Sequence, residues 1–272
     1  MSEQDFDTIS WRFNDETRIG TVVLQRPDAM NAITETMQRE LIEAFDAFAE
    51  LDKNADGVAV SAVVLEAAGE KVFCSGLDLN EMKGLENLDE RKRIPELFAE
   101  ATNAIESYSA PVVAKVNGLC LGGGFELAMA CDFRFASEQS RFGQPEVNFG
   151  LLPGGGAAQR LSTIVGVSTA KKLCMTGEQI TAETAQEYGA VDDVSPGDEL
   201  DDTVDEFVDT LAGKPPLALR GIKEAANMTR QVGYEEAIEY GGNVWVTLSQ
   251  TADYEEGMAA FAEDREPEFK GR

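Results

Sequence analysis

The stretch KVNGLCLGGGFELAMACD, residues 115–132, decides how the chain reads. VVAKV, which it continues, has the character of a buried strand. Asn117-Gly118 then turns the chain, three glycines follow, and LGGGFELAMA opens a short helix near Gly124 or Phe125. Free amides at a helix start carry the positive end of the helix dipole and suit an oxygen anion. Glu126 falls in the first turn beside that position. Taken alone, it serves equally well as a complement to the dipole, with the glycines only permitting tight packing. No G-x-G-x-x-G register fits Gly122–Gly124 and no G-K-[ST] occurs, so a dinucleotide or phosphate loop is not indicated.

Two flanking segments carry comparable signals. Upstream, VFCSGLDLNEM (72–82) reads as a strand running into a loop, where a turn at Gly76 could aim the Leu77 amide at a ligand. Downstream, RFGQPEVNFGLLPGGGAAQRL (141–161) reads as a loop rich in turn residues; Pro145 keeps its predecessor extended and Glu146 follows. Taken singly, Asp78 is an ordinary turn residue and Glu146 an ordinary solvated acid. Together, two carboxylates and two amide donors would suit chemistry α,β to a carbonyl, the amides holding charge on oxygen and the acids moving protons.

The rest of the chain frames these motifs. IGTVVLQ (19–25) and VAVSAVVLEA (58–67) read as strands. Thr34 can cap a helix in which Met37, Leu41, Ala44, Phe45 and Phe48 recur at helical spacing, ending at Asn54 to Gly57. Residues 89–108 read as a helix kinked or broken at Pro95, and FRFAS (133–137) as a strand. Beyond about residue 196 strands vanish: DELDDTVDEFVDTLA, PLALRGIKEAANMTRQ, YEEAIEYGGNVWVTLSQ and DYEEGMAAFAEDR all look helical. The expected class is α/β, with a core over 1–195 and a helical segment over 196–272.

Composition narrows the chemistry. Histidine is absent, which removes Ser–His–Asp and Cys–His nucleophiles and His-ligated zinc; acid–base work falls to carboxylates, lysine, tyrosine or cysteine. Cys74, Cys120, Cys131 and Cys174 show no metal spacing and read as small core side chains, so no metal site is expected. The 50 acidic against 23 basic residues give a formal net charge of −27, which disfavours nucleic acid and anionic membranes as partners. Self-repulsion of that size points to a salt-rich cytoplasm, where about 1 M salt shortens the Debye length to about 3 Å. MSEQDFDTIS shows no secretory pattern and no apolar run reaches membrane length, so a soluble, cytoplasmic protein is expected. Paired carboxylates also occur in glycoside hydrolases, but the two tryptophans, Trp11 and Trp245, lie far from both glutamate motifs. A non-catalytic binding protein, including an RNA-binding one, is opposed by the absence of a basic patch.

The segments KVFCSGLDLNEM, APVVAKVNGLCLGGGFELAMACD and RFGQPEVNFGLLPGGGAAQRL, in this order and spacing, resemble the crotonase (enoyl-CoA hydratase/isomerase) superfamily; VVLQRPDAMNAI (22–33) and EEGMAAFAEDREPEFKGR (255–272) extend the match over nearly the whole chain. The resemblance implies a crotonase-like spiral of repeated ββα units with a helical C-terminal trimerisation segment, assembling as a homotrimer or a hexamer of two trimers. It places the oxyanion-hole amides at Leu77 and Gly123 and the hydratase acids at Glu126 and Glu146, with Glu126 activating the water that adds to C3 and Glu146 exchanging the proton at C2. It places Ala29, Ser75, Asp78, Leu79 and Gly122 along the acyl-CoA thioester substrate, with Lys270 reaching it, in one reading from a neighbouring subunit. No cofactor is implied beyond the coenzyme A of the substrate. Both acids together favour an enoyl-CoA hydratase of fatty-acid or related acyl degradation, with an enoyl-CoA isomerase or another CoA-thioester enzyme as the alternative. Asn80 and Asp28 depart from the pattern and weaken the expected cationic contacts to CoA phosphates; Arg26 and Lys270 are the substitutes the sequence offers.

Overall fold

The structure is a computed structural model and describes residues 2–272. Strands β1 (Ser2–Asp5), β2 (Ile9–Asn14) and β3 (Ile19–Leu24) form an antiparallel meander. A 3-10 turn at Pro27–Ala29 leads to α1 (Glu35–Asn54), then β4 (Ala62–Ala67) pairs parallel to β3. From here the chain winds. β5 (Val72–Cys74) is followed by α2 (Leu79–Lys83) and α3 (Leu88–Ser107); β6 (Val112–Val116) and β7 (Leu119–Leu121) by α4 (Gly123–Ala130). β8 (Phe133–Ser137) and β9 (Arg141–Gly143) lead through a 3-10 turn at Pro145–Phe149 to α5 (Ala157–Ile164) and α6 (Val167–Thr176). β10 (Gln179–Thr181), α7 (Ala182–Glu187) and β11 (Asp193–Ser195) complete the strands. Four helices then run to the C-terminal region: α8 (Leu200–Ala212), α9 (Pro216–Met228), α10 (Tyr234–Leu248) and α11 (Ala252–Glu263).

Successive strands separate into two sheets. The larger has the order β1-β2-β3-β4-β6-β8-β11, the smaller β10-β9-β7-β5. Each of β4–β5, β6–β7 and β8–β9 therefore gives its first strand to the large sheet and its second to the small one, with the pairs β4·β6, β6·β8, β5·β7 and β7·β9 all parallel. That repetition is the expected spiral of ββα units. β4 and β6 are covered on both faces over their apolar runs, Ala62–Leu65 and Val112–Ala114, with Glu66 and Lys115 pairing at the half-buried positions beyond. One face carries the main core, where Trp11 packs edge-on to Phe48 of α1 at 5.2 Å. The other carries Leu200, Val204, Val208 and Leu211 of α8 against Ala62, Val64, Val113 and Phe135.

Thr34 caps α1 as expected, its side chain accepting from the Met37 amide at 3.1 Å. The four C-terminal helices also stand where their periodicity puts them. Other expectations need correction. Pro95 does not break α3, which runs on to Ser107; the buried stripe Leu97, Phe98, Ala101 and Ile105 outweighs the one lost backbone bond. The stretch 141–156 is not all loop, since β9 and the 3-10 turn lie within it, and Asp78 starts a helical turn by accepting from the Asn80 amide. The strand expected at the start of VFCSGLDLNEM stands as β5, whereas β7 escapes periodicity because three residues hold no pattern.

Gly124 shows why the glycine run is needed. A Cβ there would lie 2.3 Å from the Cys74 carbonyl oxygen and 2.7 Å from its side chain, so α4 can seat on β5 only without a side chain. Gly124→Ala should therefore destabilise by about 1–3 kcal/mol through overpacking, read as a lowered Tm. An unchanged Tm would contradict the seating.

Candidate active site

Glu126 lies in the first turn of α4 and is 1 % exposed. Its Oε1 accepts from the Ala157 amide at 2.9 Å, and the Gly155 amide also supports the charged form. Burial outweighs these donors and, with the negative Glu146 nearby, pushes the carboxyl up to about 7. Glu146 stands on the 3-10 turn after Pro145, half-buried, and desolvation raises its pKa too. With its amide nitrogen facing Glu146, Gln144 donates to both carboxylate oxygens at 3.1 Å. The carboxyls are close enough for the charge of Glu146 to raise Glu126, and a Cβ on Gly122, whose carbonyl accepts from the Glu126 amide, would fall 2.9 Å from Glu146 Oε1. Gly122 adopts φ 53°, ψ −125°, which its lack of a side chain permits. The Cys174 thiol faces the same space, its pKa raised to about 11 by burial and by Glu146 and Glu126.

The two amides come from separate loops. Ile33 and Leu77 form an isolated parallel bridge: Ile33 N donates to Gly76 O and Asp78 N to Ile33 O, each at 2.8 Å. Parallel pairing engages the residues on either side of Leu77, so the Leu77 amide points away from Ile33. Gly123 is the first residue of α4 and its amide lies before the helix ladder begins. Among the described residues neither amide has a protein acceptor. They are neighbours: a Cβ on Gly76 would lie 3.3 Å from Gly123 N, and one on Gly123 3.5 Å from Leu77 N. Beside them a cavity of about 350 Å³ is lined by Ile33, Leu77, Met82 and Leu97 and also by acids such as Glu81 and Glu90.

Ala29, Ser75, Asp78 and Leu79 also gather at this end of the sheets. Ser75 N donates to the carbonyl of Met30, which follows Ala29, and Leu79 is exposed. Asn31 organises the approach, taking the Arg26 amide at 2.8 Å and donating to the Ala68 and Val72 carbonyls. Arg26 is not free for a phosphate. Its guanidinium binds the Ala32 carbonyl and pairs with Asp78 at 3.2 Å; the Asn80 amide, with Arg26 adding to it, holds the Asp78 carboxyl below its usual range. Lys270 is not brought together with the others in its own chain. Its carbonyl packs on Gly57, before the start of β4, whereas Ala29 follows β3 and lies near the strands' opposite ends. The backbone of Lys270 therefore lies toward the opposite end of the strands from Leu77 in the same chain.

Sequence reading missed the groups that hold the acids: Gln144, the Gly155 and Ala157 amides, and Arg160. Their signal lay in the quoted run FGQPEVNFGLLPGGGAAQR, but no local pattern says which loop amides turn inward.

Two interleaved sheets, a helix started by glycines, and two acids meeting beside paired free amides define a protein of the crotonase-like spiral class. Comparison with known proteins gives the particular group. The chain belongs to the enoyl-CoA hydratase/isomerase family, whose model matches residues 14–272. It is 36 % identical over 258 residues to the short-chain-enoyl-CoA hydratase of Clostridium acetobutylicum, covering 94 % of this chain and 96 % of that one. It is 35 % identical to the 2,3-dehydroadipyl-CoA hydratase of Escherichia coli, covering 94 % and 97 %. Among solved structures, the enoyl-CoA hydratase of Mycobacterium smegmatis superposes with a TM-score of 0.90 at 31 % identity, covering 97 % of this chain and 99 % of that one.

Proposed function

We propose that the chain is an enoyl-CoA hydratase, a hydro-lyase adding water across the double bond of a 2-enoyl-CoA to give the 3-hydroxyacyl-CoA. The observation that carries this reading is the approach of buried Glu126 and half-buried Glu146 to one another beside the unpartnered Leu77 and Gly123 amides. The thioester oxygen accepts from both amides, which lowers the energy of the enolate-like charge as it forms. Glu126, ionised, takes a proton from water as the water oxygen bonds to C3. Glu146, protonated, gives its proton to C2 as the double bond is lost. One proton has left the acid pair and one has joined it, so a single exchange between the carboxyls or with solvent resets the site. Burial raises both carboxyls, and with the charge of Glu146 it brings Glu126 up to about 7, which favours keeping a proton within the site near neutrality. The cavity beside Leu77 offers room for the acyl group, while Ala29, Ser75, Asp78 and Leu79 present the face along which coenzyme A lies. The reaction needs no further cofactor. Among the described residues no cluster of acids and cysteines forms a metal site.

The direct test is purified protein with crotonyl-CoA in molar potassium chloride. Loss of the enone absorbance with formation of 3-hydroxybutyryl-CoA supports hydration. An unchanged spectrum together with double-bond migration in a 3-enoyl-CoA would replace it with isomerisation.

The assembly that fits this reading is a homotrimer, alone or paired as a hexamer. Helices α9–α11 expose Ile222, Ile238, Trp245, Met258 and Phe261, the last 87 % exposed, a surface suited to burial against a second copy. The setting that fits is a cytoplasm; among the described residues no helix is long and apolar enough to cross a membrane. A net charge of −27 fits a salt-rich one. Raising potassium chloride from about 0.1 M to 1 M shortens the Debye length from about 10 Å to 3 Å, screening both self-repulsion and the approach of polyanionic coenzyme A. Tm and kcat/KM should both rise over that range; a fall in both would exclude salt adaptation.

A further inference from the structure

The strongest polar network outside the two acids surrounds Arg160 of α5, which is 9 % exposed. Its Nε and Nη2 donate to Glu106 Oε2 of α3 at 3.0 and 2.8 Å, Nη2 reaches Asn103 Oδ1 at 3.1 Å, and Nη1 donates to the Gly155 carbonyl at 2.5 Å. Arg230, in the turn that follows α9, pairs with the other oxygen of Glu106, so the network ties α3 and α5 to the end of α9. Its fourth contact is the consequential one. Gly155 sits in the turn whose amides support Glu126, and a Cβ on Gly155 would lie only 3.1 Å from the Glu126 carboxyl carbon.

We propose that Arg160 is a positioning residue: anchored by Glu106, it grips the Gly155 carbonyl and so keeps the Gly155 and Ala157 amides aimed at the Glu126 carboxylate. This deepens the hydratase reading and rests on Glu126 being one of its two acids. A peptide whose carbonyl is fixed by a fork of buried donors cannot rotate freely, and its turn is held with it. Loosening that turn weakens the donors to the charged carboxylate, and removing the guanidinium removes a nearby positive charge. Both changes disfavour ionised Glu126. The groups facing it are Glu146 on its turn, Cys174 on α6 and Arg160 on α5, with Glu106 and Arg230 acting through Arg160. The buried thiols Cys74 of β5 and Cys120 of β7 stand close behind α4; burial pushes Cys74 up to about 12 and Cys120 well above its usual value, so both are neutral at working pH.

The test compares Arg160→Gln and Arg160→Lys with the full-length parent in molar potassium chloride, reading crotonyl-CoA hydration against pH and the Glu126 titration by carboxyl ¹³C NMR, with Glu126→Gln to assign the signal. Arg160→Gln should lower kcat by about 10–100-fold with KM within about twofold, and Glu126 should titrate at higher pH. Arg160→Lys should restore much of the titration while recovering kcat only in part, since an ammonium lacks the planar fork. A folded Arg160→Gln protein with unchanged kcat and an unmoved Glu126 titration would overturn the proposal. Should that variant not fold, Glu106→Gln carries the test: a smaller shift of the same sign supports the role, and an unmoved titration overturns it. The NMR reading needs no substrate, so a parent that fails to hydrate crotonyl-CoA refutes the hydratase reading without deciding this one.

Discussion

Glu126→Gln should lower kcat for crotonyl-CoA hydration by about 10²–10⁴-fold while leaving KM for the thioester nearly unchanged. Glutamine keeps the shape and can still accept from the Ala157 amide through its carbonyl, so the packing around α4 survives. It cannot take a proton from water. The same variant carries a stability signature whose sign is fixed. The folded-state pKa of Glu126, about 7, lies above its unfolded value near 4.5, so the native state binds the extra proton between those values. Stability contributed by the neutral acid is therefore lost as pH rises from about 4.5 through 7, and the cost is complete above that. Removing the ionisable group relieves it. Glu126→Gln should be more stable than the parent at pH 8, by up to about 3 kcal/mol, with the advantage gone at pH 4. Melting curves at the two pH values check this, and an equal offset at both would argue against a buried, reluctantly ionised carboxyl.

Gly123→Pro should lower kcat by about 10²–10³-fold, equivalent to about 2.7–4 kcal/mol, through deletion of one oxyanion donor. The first position of a helix is where proline fits best, since the missing N–H has no partner in the helix ladder. The loss is thus aimed at the ligand more than at the fold. Some repacking is expected, because a Cβ here would lie 3.0 Å from Ile33 Cδ1 and 3.3 Å from the Phe98 ring. Gly123→Ala is the control: it brings the same Cβ but keeps the amide. Proline inactive and alanine substantially active assigns the loss to the N–H. Equal losses would assign it to crowding and remove Gly123 from the donor role.

Much of this was legible in residues 115–132. The glycine run after a buried strand announces a helix whose first amides stand free, and Glu126 in its first turn follows from the same register. The long helices were legible because their apolar stripes persist over several turns. β1 and β2 were not, and neither were β7, β9, β10 and β11, three-residue strands held by partners remote in sequence. Spacing alone also could not say that Glu126 and Glu146 meet; that depends on β7 and β9 lying side by side, which brings Gly122 N onto Gly143 O at 2.9 Å. Arg26, which the sequence offers as a cation for the coenzyme A phosphates, is paired with Asp78, 52 residues away, and spacing could not show that. Nor could spacing show how Lys270 is held: the Asp253 carboxylate takes the Lys270 and Gly271 amides at 2.7 and 2.8 Å.

The most direct measurement is a crystal structure with acetoacetyl-CoA, a thioester that binds without being hydrated. The thioester oxygen should lie about 2.7–3.1 Å from both Leu77 N and Gly123 N, with its C2 and C3 carbons facing Glu146 and Glu126. An oxygen bound away from either amide, or a thioester whose two carbons face neither carboxyl, would contradict the account.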